Sequence, residues 1–279
     1  MKKNFSVLAS LLTMALAGGM LASCAGNQNK KEAAEAAEVT EAKAINPAWN
    51  TYNVGEIIFE DKAPETEGSK IYHAIISDPK SYIEEKARIV LNTLYFSPED
   101  SIPHCNQIHY TLEDSEGISA KGGGNGFVSI FYSTRHIEKS FVNNDTTKLH
   151  YETTGVLLHE LTHAFQLEPQ GIGSYGTNKT NWAFIEGMAD AVRVDNGYFG
   201  PNDRPKGGNY MDGYRHCGFF LVWLKNEKAK DPDFLRKFNR TALEVIPWSF
   251  DGAIKKVMGE QYNIDDLWAE YMKAMGDVQ

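Results

Sequence analysis

His159 and His163 stand four residues apart in the stretch "GVLLHELTHAFQ", with Glu160 directly after the first. On a helix, positions i and i+4 lie one above the other, so both imidazoles can reach one ion. Glu160 is rotated about 100° around the helix axis, which sets it beside such an ion rather than on it. From there it can take a proton from a water held by the ion, the general base's task in a zinc hydrolase. In a chain of this composition an H-E-x-x-H arises by chance on the order of once in a hundred sequences, so the motif asks for a third ligand.

A catalytic zinc takes three protein ligands. The segment "NWAFIEGMADAVR" offers Glu186 on a second helix, one glycine-containing loop after His163. Its neighbours Trp182, Phe184, Ile185 and Met188 are apolar, and a charge in such company needs a partner. Asp190, one turn further on the same face, can receive the free ring N–H of His159 and fix its tautomer. Two imidazoles and one carboxylate with an open fourth position specify zinc, one per chain, over calcium or magnesium. His73, His104, His109, His136 and His150 have no partner at ligand spacing and read as core or surface residues.

The elements that must position these residues follow from periodicity. "VGEIIFE" and "KIYHAIIS" read as strands, and "DPKSYIEEKARIVLNTLYF" as a helix capped by Asp78 with Pro79 at its first position. "QIHYTLED" and "GFVSIFYS" alternate as strands around a glycine-rich turn, "KGGGNG". From about Leu149 the pattern turns helical through "YETTGVLLHELTHAFQ", "NWAFIEGMADAVRV", "MDGYRHCGFFLVWLKNEK", "DPDFLRKFNRTALE", "SFDGAIKKVMG" and "NIDDLWAEYMKAM". Strands first and helices later predict an α+β domain over residues 46–279, with a twisted mixed sheet, the two-histidine helix and a mainly helical C-terminal part.

The chain opens with Lys2 and Lys3, a short apolar run and then Leu21-Ala22-Ser23-Cys24. This has the form of a bacterial lipoprotein signal over residues 1–23, with acyl chains on Cys24 as the expected membrane anchor. Ala25, where an aspartate would favour inner-membrane retention, points to the outer membrane of the cell envelope. Residues 24–45 lack aromatics, are rich in alanine and glutamate, and read as a tether. The net charge of −9 moves to about −11 once the two lysines leave with the signal. That balance argues against nucleic acid as a partner. Cys105 and Cys217 remain, able to form one disulfide or to stay as two buried thiols.

Taken in order, "HELTHAFQ", "FIEGMADAVR", "GYRHCGFFLVWL" and "LWAEYMK" resemble the plant and bacterial basic secretory protein family, zinc peptidases of the gluzincin type. The resemblance implies a zincin-like domain with His159, His163 and Glu186 as ligands, Glu160 as base and Asp190 buttressing His159. It also implies an oxyanion donor near "NYMDGYRHCG", for which Tyr214 is the first choice and His216 the alternative. An edge strand ahead of the active-site helix would receive a peptide or protein substrate, and "GNGFVSIFYS" is the candidate. The family's name reflects basic members, whereas this chain is acidic, so surface preferences do not carry over. The expected activity is hydrolysis of peptide bonds by a lipid-anchored zinc metallopeptidase. A glycopeptidase needing a sugar near the cleavage site, with Tyr175, Trp182 and Tyr198 in the cleft, is the alternative. A non-catalytic lipoprotein that captures peptides or glycopeptides is another, but it has no use for Glu160. Oligomeric state is left open.

Overall fold

A computed structural model describes residues 44–278; the signal segment, Cys24 and nearly all of the tether lie outside the described residues. Strand β1 (Glu56–Asp61) leads through helices α1 (Glu67–Ile75) and α2 (Pro79–Leu94) to β2 (Gln107–Glu113), β3 (Ser119–Gly124) and β4 (Phe127–Ser133). The sheet order is β1-β2-β4-β3, with β1, β2 and β4 parallel and β3 antiparallel to β4. In α2 the Asp78 side chain accepts from the Ser81 amide, and Ile83, Ala87, Val90, Leu91 and Leu94 are buried, as their spacing requires.

Two expectations are corrected. "KIYHAIIS" belongs to α1, not to a strand: Thr66 caps the helix through the Ser69 amide, and Ser69 and Tyr72 lie on one buried face. Tyr72 then packs against both Phe59 and Tyr110 of the sheet, which also stack on each other. A short apolar run fits either period, and the cap decides it. "KGGGNG" is not all turn, because β3 runs through Gly124 and pairs Gly122 with Ser129 and Gly124 with Phe127. The turn itself is Asn125-Gly126, both at positive φ (53° and 81°), a two-residue hairpin link. β3 therefore forms the sheet edge and β4 lies inside, so the strand offered for substrate moves from "GNGFVSIFYS" to Ser119–Gly124.

The helical part comprises α3 (Thr134–Ser140), α4 (Thr146–Phe165), α5 (Lys179–Asp195), α6 (Tyr214–Trp223), α7 (Phe234–Glu244), α8 (Phe250–Met258) and α9 (Ile264–Ala274). Asp145 caps α4 through the Lys148 amide, and Asn178 caps α5 through the Thr180 and Asn181 amides. Helix α4 packs on α2, α5 and the edge strand β3. Helices α5 and α6 cross closely: a Cβ at Gly187 would meet Cys217 Sγ at 2.3 Å, and one at Gly218 would meet the Asp190 backbone at 2.8 Å. Behind α5, Phe184 packs against Phe238 and Trp248. The arrangement is α+β, with a mixed sheet and a helical C-terminal part.

Of the two alternatives open for Cys105 and Cys217, a disulfide or two buried thiols, the structure has the second. Both are free, buried thiols. Cys217 is committed to the α5–α6 crossing at Gly187, while Cys105, just ahead of β2, turns its sulfur toward the Gln107 carbonyl.

The chain's end closes back on a loop of the helical part. Arg204 donates through both terminal nitrogens to the Asp277 carboxylate at 2.7 Å, and the Gly207 amide adds a third bond at 3.0 Å. Asp277→Ala removes the acceptor of all three, with an expected loss of about 1–3 kcal/mol. Urea unfolding checks this as a lower midpoint with an unchanged slope.

Candidate metal centre

Helix α4 presents His159 and His163 one turn apart, and α5 brings Glu186 against them. His159 Nε2 lies 3.1 Å from His163 Nε2 and 3.3 Å from Glu186 Oε2, and His163 Nε2 lies 3.6 Å from the same oxygen. Among the described residues this is the one group of three donors that could hold a metal ion. Four ligands around an ion at ~2.0–2.1 Å stand roughly 3.3 Å apart, which this triangle matches. Glu186 Oε2 is buried and has no hydrogen-bond partner. A buried carboxylate oxygen left in that state is costly, and an ion between it and two imidazoles removes the cost.

The partners of these donors agree. His159 Nδ1 donates to Asp190 Oδ1 at 2.7 Å, which turns the Nε2 lone pair toward the triangle. The Tyr175 hydroxyl donates to Glu186 Oε1 at 2.6 Å and leaves Oε2 for the triangle. Burial by itself would raise the Glu186 pKa, but the imidazoles of His159 and His163 beside it hold it well below the usual carboxylate range. Burial would likewise lower that of His159, and Asp190 and Glu186 together outweigh it and raise it. Glu160 is 6 % exposed and faces the same cleft without joining the triangle.

Tyr214 opens α6 under constraint. Gly213 (φ 64°, ψ −154°) passes against Glu186 and the Trp182 ring, where a Cβ would lie 3.0 Å from the indole. Only glycine adopts that conformation readily. Tyr214 itself has φ 39°. Its ring stacks on the His159 imidazole at 6.0 Å and 11°, and edge-on against Trp182 at 5.6 Å. Burial and the charges of Glu186, Asp190 and Glu160 push its phenol pKa up to about 12, so it is a donor at neutral pH.

The triangle opens into a cleft of about 1100 Å³ bounded by Ser119, Ala120 and Lys121 of β3 on one side and by Tyr214, Arg215 and His216 of α6 on the other. Arg193, also on the wall, crosses α4 at Gly155, where a Cβ would meet its Nε at 2.4 Å, and donates to Glu152 at 2.6 Å. Its guanidinium lies 3.8 Å from the centre of the Phe199 ring.

Of the residues singled out from sequence, His159, Glu160, His163, Glu186, Asp190 and Tyr214 converge. His216 lines the cleft farther round, its ring against Gly208. Of the three aromatics expected in the cleft, Tyr175 lines it, Trp182 backs Tyr214, and Tyr198 packs on Tyr151. Tyr175 as the Glu186 partner and Gln166 as the His163 partner, at 2.7 Å from Nδ1, were not foreseen. Gln166 follows His163 at helical spacing, a usable signal; Tyr175 sits in a loop, where spacing says nothing.

Three donors gathered at the wall of an open cleft, with the buried carboxylate of Glu160 beside them, form a group that could hold a metal ion. A family model described as peptidase of plants and bacteria matches residues 55–271, and the chain belongs to that family. No curated protein and no solved structure matches the chain.

Two substitutions test the triangle. Glu186→Ala is expected to lose most of the bound metal, and Asp190→Ala to weaken binding about 10–100-fold by freeing the His159 ring. Elemental analysis and chelator competition measure both; full metal in the Glu186 variant would move the third ligand elsewhere.

Proposed function

We propose that this protein is a zinc-dependent peptidase, and the observation that carries the reading is the triangle of His159, His163 and Glu186 donor atoms on the cleft wall beside Glu160. Two imidazole nitrogens and one carboxylate form a donor set suited to zinc. Zinc, when bound, supplies a Lewis acid that lowers the pKa of water and polarises a carbonyl.

The chain's own residues do the rest. A peptide laid along the free edge of β3 exchanges backbone hydrogen bonds with Ser119–Gly124, which fixes its direction across α4. Glu160 takes the proton of the attacking water and passes it to the leaving amine. Tyr214, held by Trp182 and stacked on His159, donates its phenol hydrogen to the oxygen on which negative charge develops. The family name and the cleft support peptide as substrate. A glycopeptidase is the second reading: Gly122, Gly123 and Gly124 leave the edge strand without side chains, and nothing lies within 4 Å of a Cβ placed on Gly124. That leaves open space at the Gly124 end of the strand, where a substrate extending beyond the cleft could carry a bulky group. Acyl chains on Cys24 would hold the enzyme at the bacterial envelope, as the lipobox supports.

The test is a peptide-library digest read by mass spectrometry, using the chain from Asn46 onward beside its Glu160→Ala variant. Cleavage is expected from the first and a loss of about 10²–10⁴-fold or more in the second, with metal content unchanged. Failure of both zinc-loaded proteins to cleave peptides, with cleavage of glycopeptides by the first alone, selects the second reading. Tyr214→Phe keeps the ring and removes the donor. Its kcat should fall about 10²–10³-fold with little change in KM. An unchanged kcat would move the donor to another group.

A further inference from the structure

Each residue of the triangle has a partner on its outer atom, and the partner of His163 is the informative one. Gln166 follows His163 by three residues, where α4 ends; it is 5 % exposed, and its amide meets His163 Nδ1 at 2.7 Å. Its backbone is held on both sides. The Gln166 amide N–H donates to the Thr162 carbonyl at 2.7 Å, and the next amide, of Leu167, donates to Asn239 Oδ1 at 3.1 Å.

The Gln166 side chain has two ends with opposite effects. If its NH2 donates to Nδ1, the ring proton of neutral His163 sits on Nε2 and points into the triangle, where it blocks an ion. In that arrangement the carbonyl oxygen Oε1 is buried with no partner. A half-turn of the amide puts the carbonyl on Nδ1 instead. It then accepts the Nδ1–H, and the Nε2 lone pair of His163 faces His159 Nε2 and Glu186 Oε2. The two ends of an amide differ little in size, so the half-turn costs no packing; it sets the NH2 in the place that Oε1 held.

We propose that Gln166 is a positioning residue of the metal centre. Its side-chain carbonyl accepts the Nδ1–H of His163 and presets the tautomer in which Nε2 is free to bind metal. The inference rests on reading His159, His163 and Glu186 as the metal site. It completes a symmetric arrangement: Asp190 sets His159, Tyr175 sets Glu186 and Gln166 sets His163. A neutral amide in place of a second carboxylate sets the ring without adding a negative charge beside Glu186 and Asp190.

Zinc dissociation constants, measured by competition with a chromophoric chelator, test this on the wild type, Gln166→Met, Gln166→Glu and His163→Ala. Methionine keeps the length and removes the acceptor, so affinity should fall about 10–100-fold. A glutamate oxygen accepts as the carbonyl does, so Gln166→Glu should bind zinc at least as tightly as wild type. Wild-type affinity in Gln166→Met overturns the inference. A Gln166→Glu variant as weak as Gln166→Met also overturns it, because the side chain then acts only by packing. Failure of wild type to bind zinc, or full binding by His163→Ala, would instead overturn the metal site itself. Should the methionine variant not fold, long-range nitrogen–proton NMR of the zinc-free wild type above pH 8 decides. A proton on His163 Nδ1 supports the preset tautomer, and one on Nε2 refutes it.

Discussion

Glu186 is a carboxylate only 4 % exposed, carried on a helix whose other face packs into the aromatic core through Phe184. Removing a charge of this kind from water costs several kcal/mol unless it is met in place. One of its oxygens is met by the Tyr175 hydroxyl and the other faces two imidazoles. Much of the surrounding architecture follows from that arrangement. The imidazoles must be neutral at the nitrogens they turn inward, so their outer nitrogens need acceptors, and those acceptors must themselves be fixed. The demand spreads outward until it reaches Asp190 on α5 and the end of α4.

The crossing of α5 and α6 is where packing and chemistry meet. Gly187 receives Cys217 and Gly218 receives the backbone at Asp190. The two helices therefore approach more closely than side chains on both would allow. The contact at Gly218 fixes Asp190, which holds His159; the same helix, at its start, lays Tyr214 over the His159 ring. Cys217 is thus a packing element behind the His159, His163 and Glu186 cluster, and it stays a free thiol.

How much of this was legible in the sequence depends on whether the signal was periodic. Spacing placed His159, Glu160 and His163 on one helix, and Glu186 with Asp190 on another, because helical geometry alone relates residues four apart. The Asp78 cap and the apolar face of α2 were readable for the same reason. "KIYHAIIS" was misread because eight residues support both periods, and the deciding cap, Thr66, lies outside the run. β3 was hidden because Gly122, Gly123 and Gly124 carry no alternation, so a strand looked like a turn and the sheet edge was assigned one strand too far. Tyr175 and the unpaired cysteines depend on how loops and helices meet in space, which no local pattern encodes.

Two tyrosines approach Glu186, and their backbones differ in a way that bears on their work. Tyr214 has φ 39°, a conformation costing a non-glycine residue of order 1–3 kcal/mol that persists only where the surroundings over-determine it. Here the indole of Trp182, the imidazole of His159 and the glycine before it supply that determination. Tyr175 is reached through a loop with Gly171 and Gly173 at positive φ, and its ring is 46 % exposed. Its hydroxyl is held by the bond to Glu186. In the peptidase mechanism proposed above, a donor aimed at developing charge gains most when it does not reorganise during the reaction, which suits the constrained residue. A brace on a carboxylate proposed to bind metal gains from being able to follow it, which suits the residue on the loop.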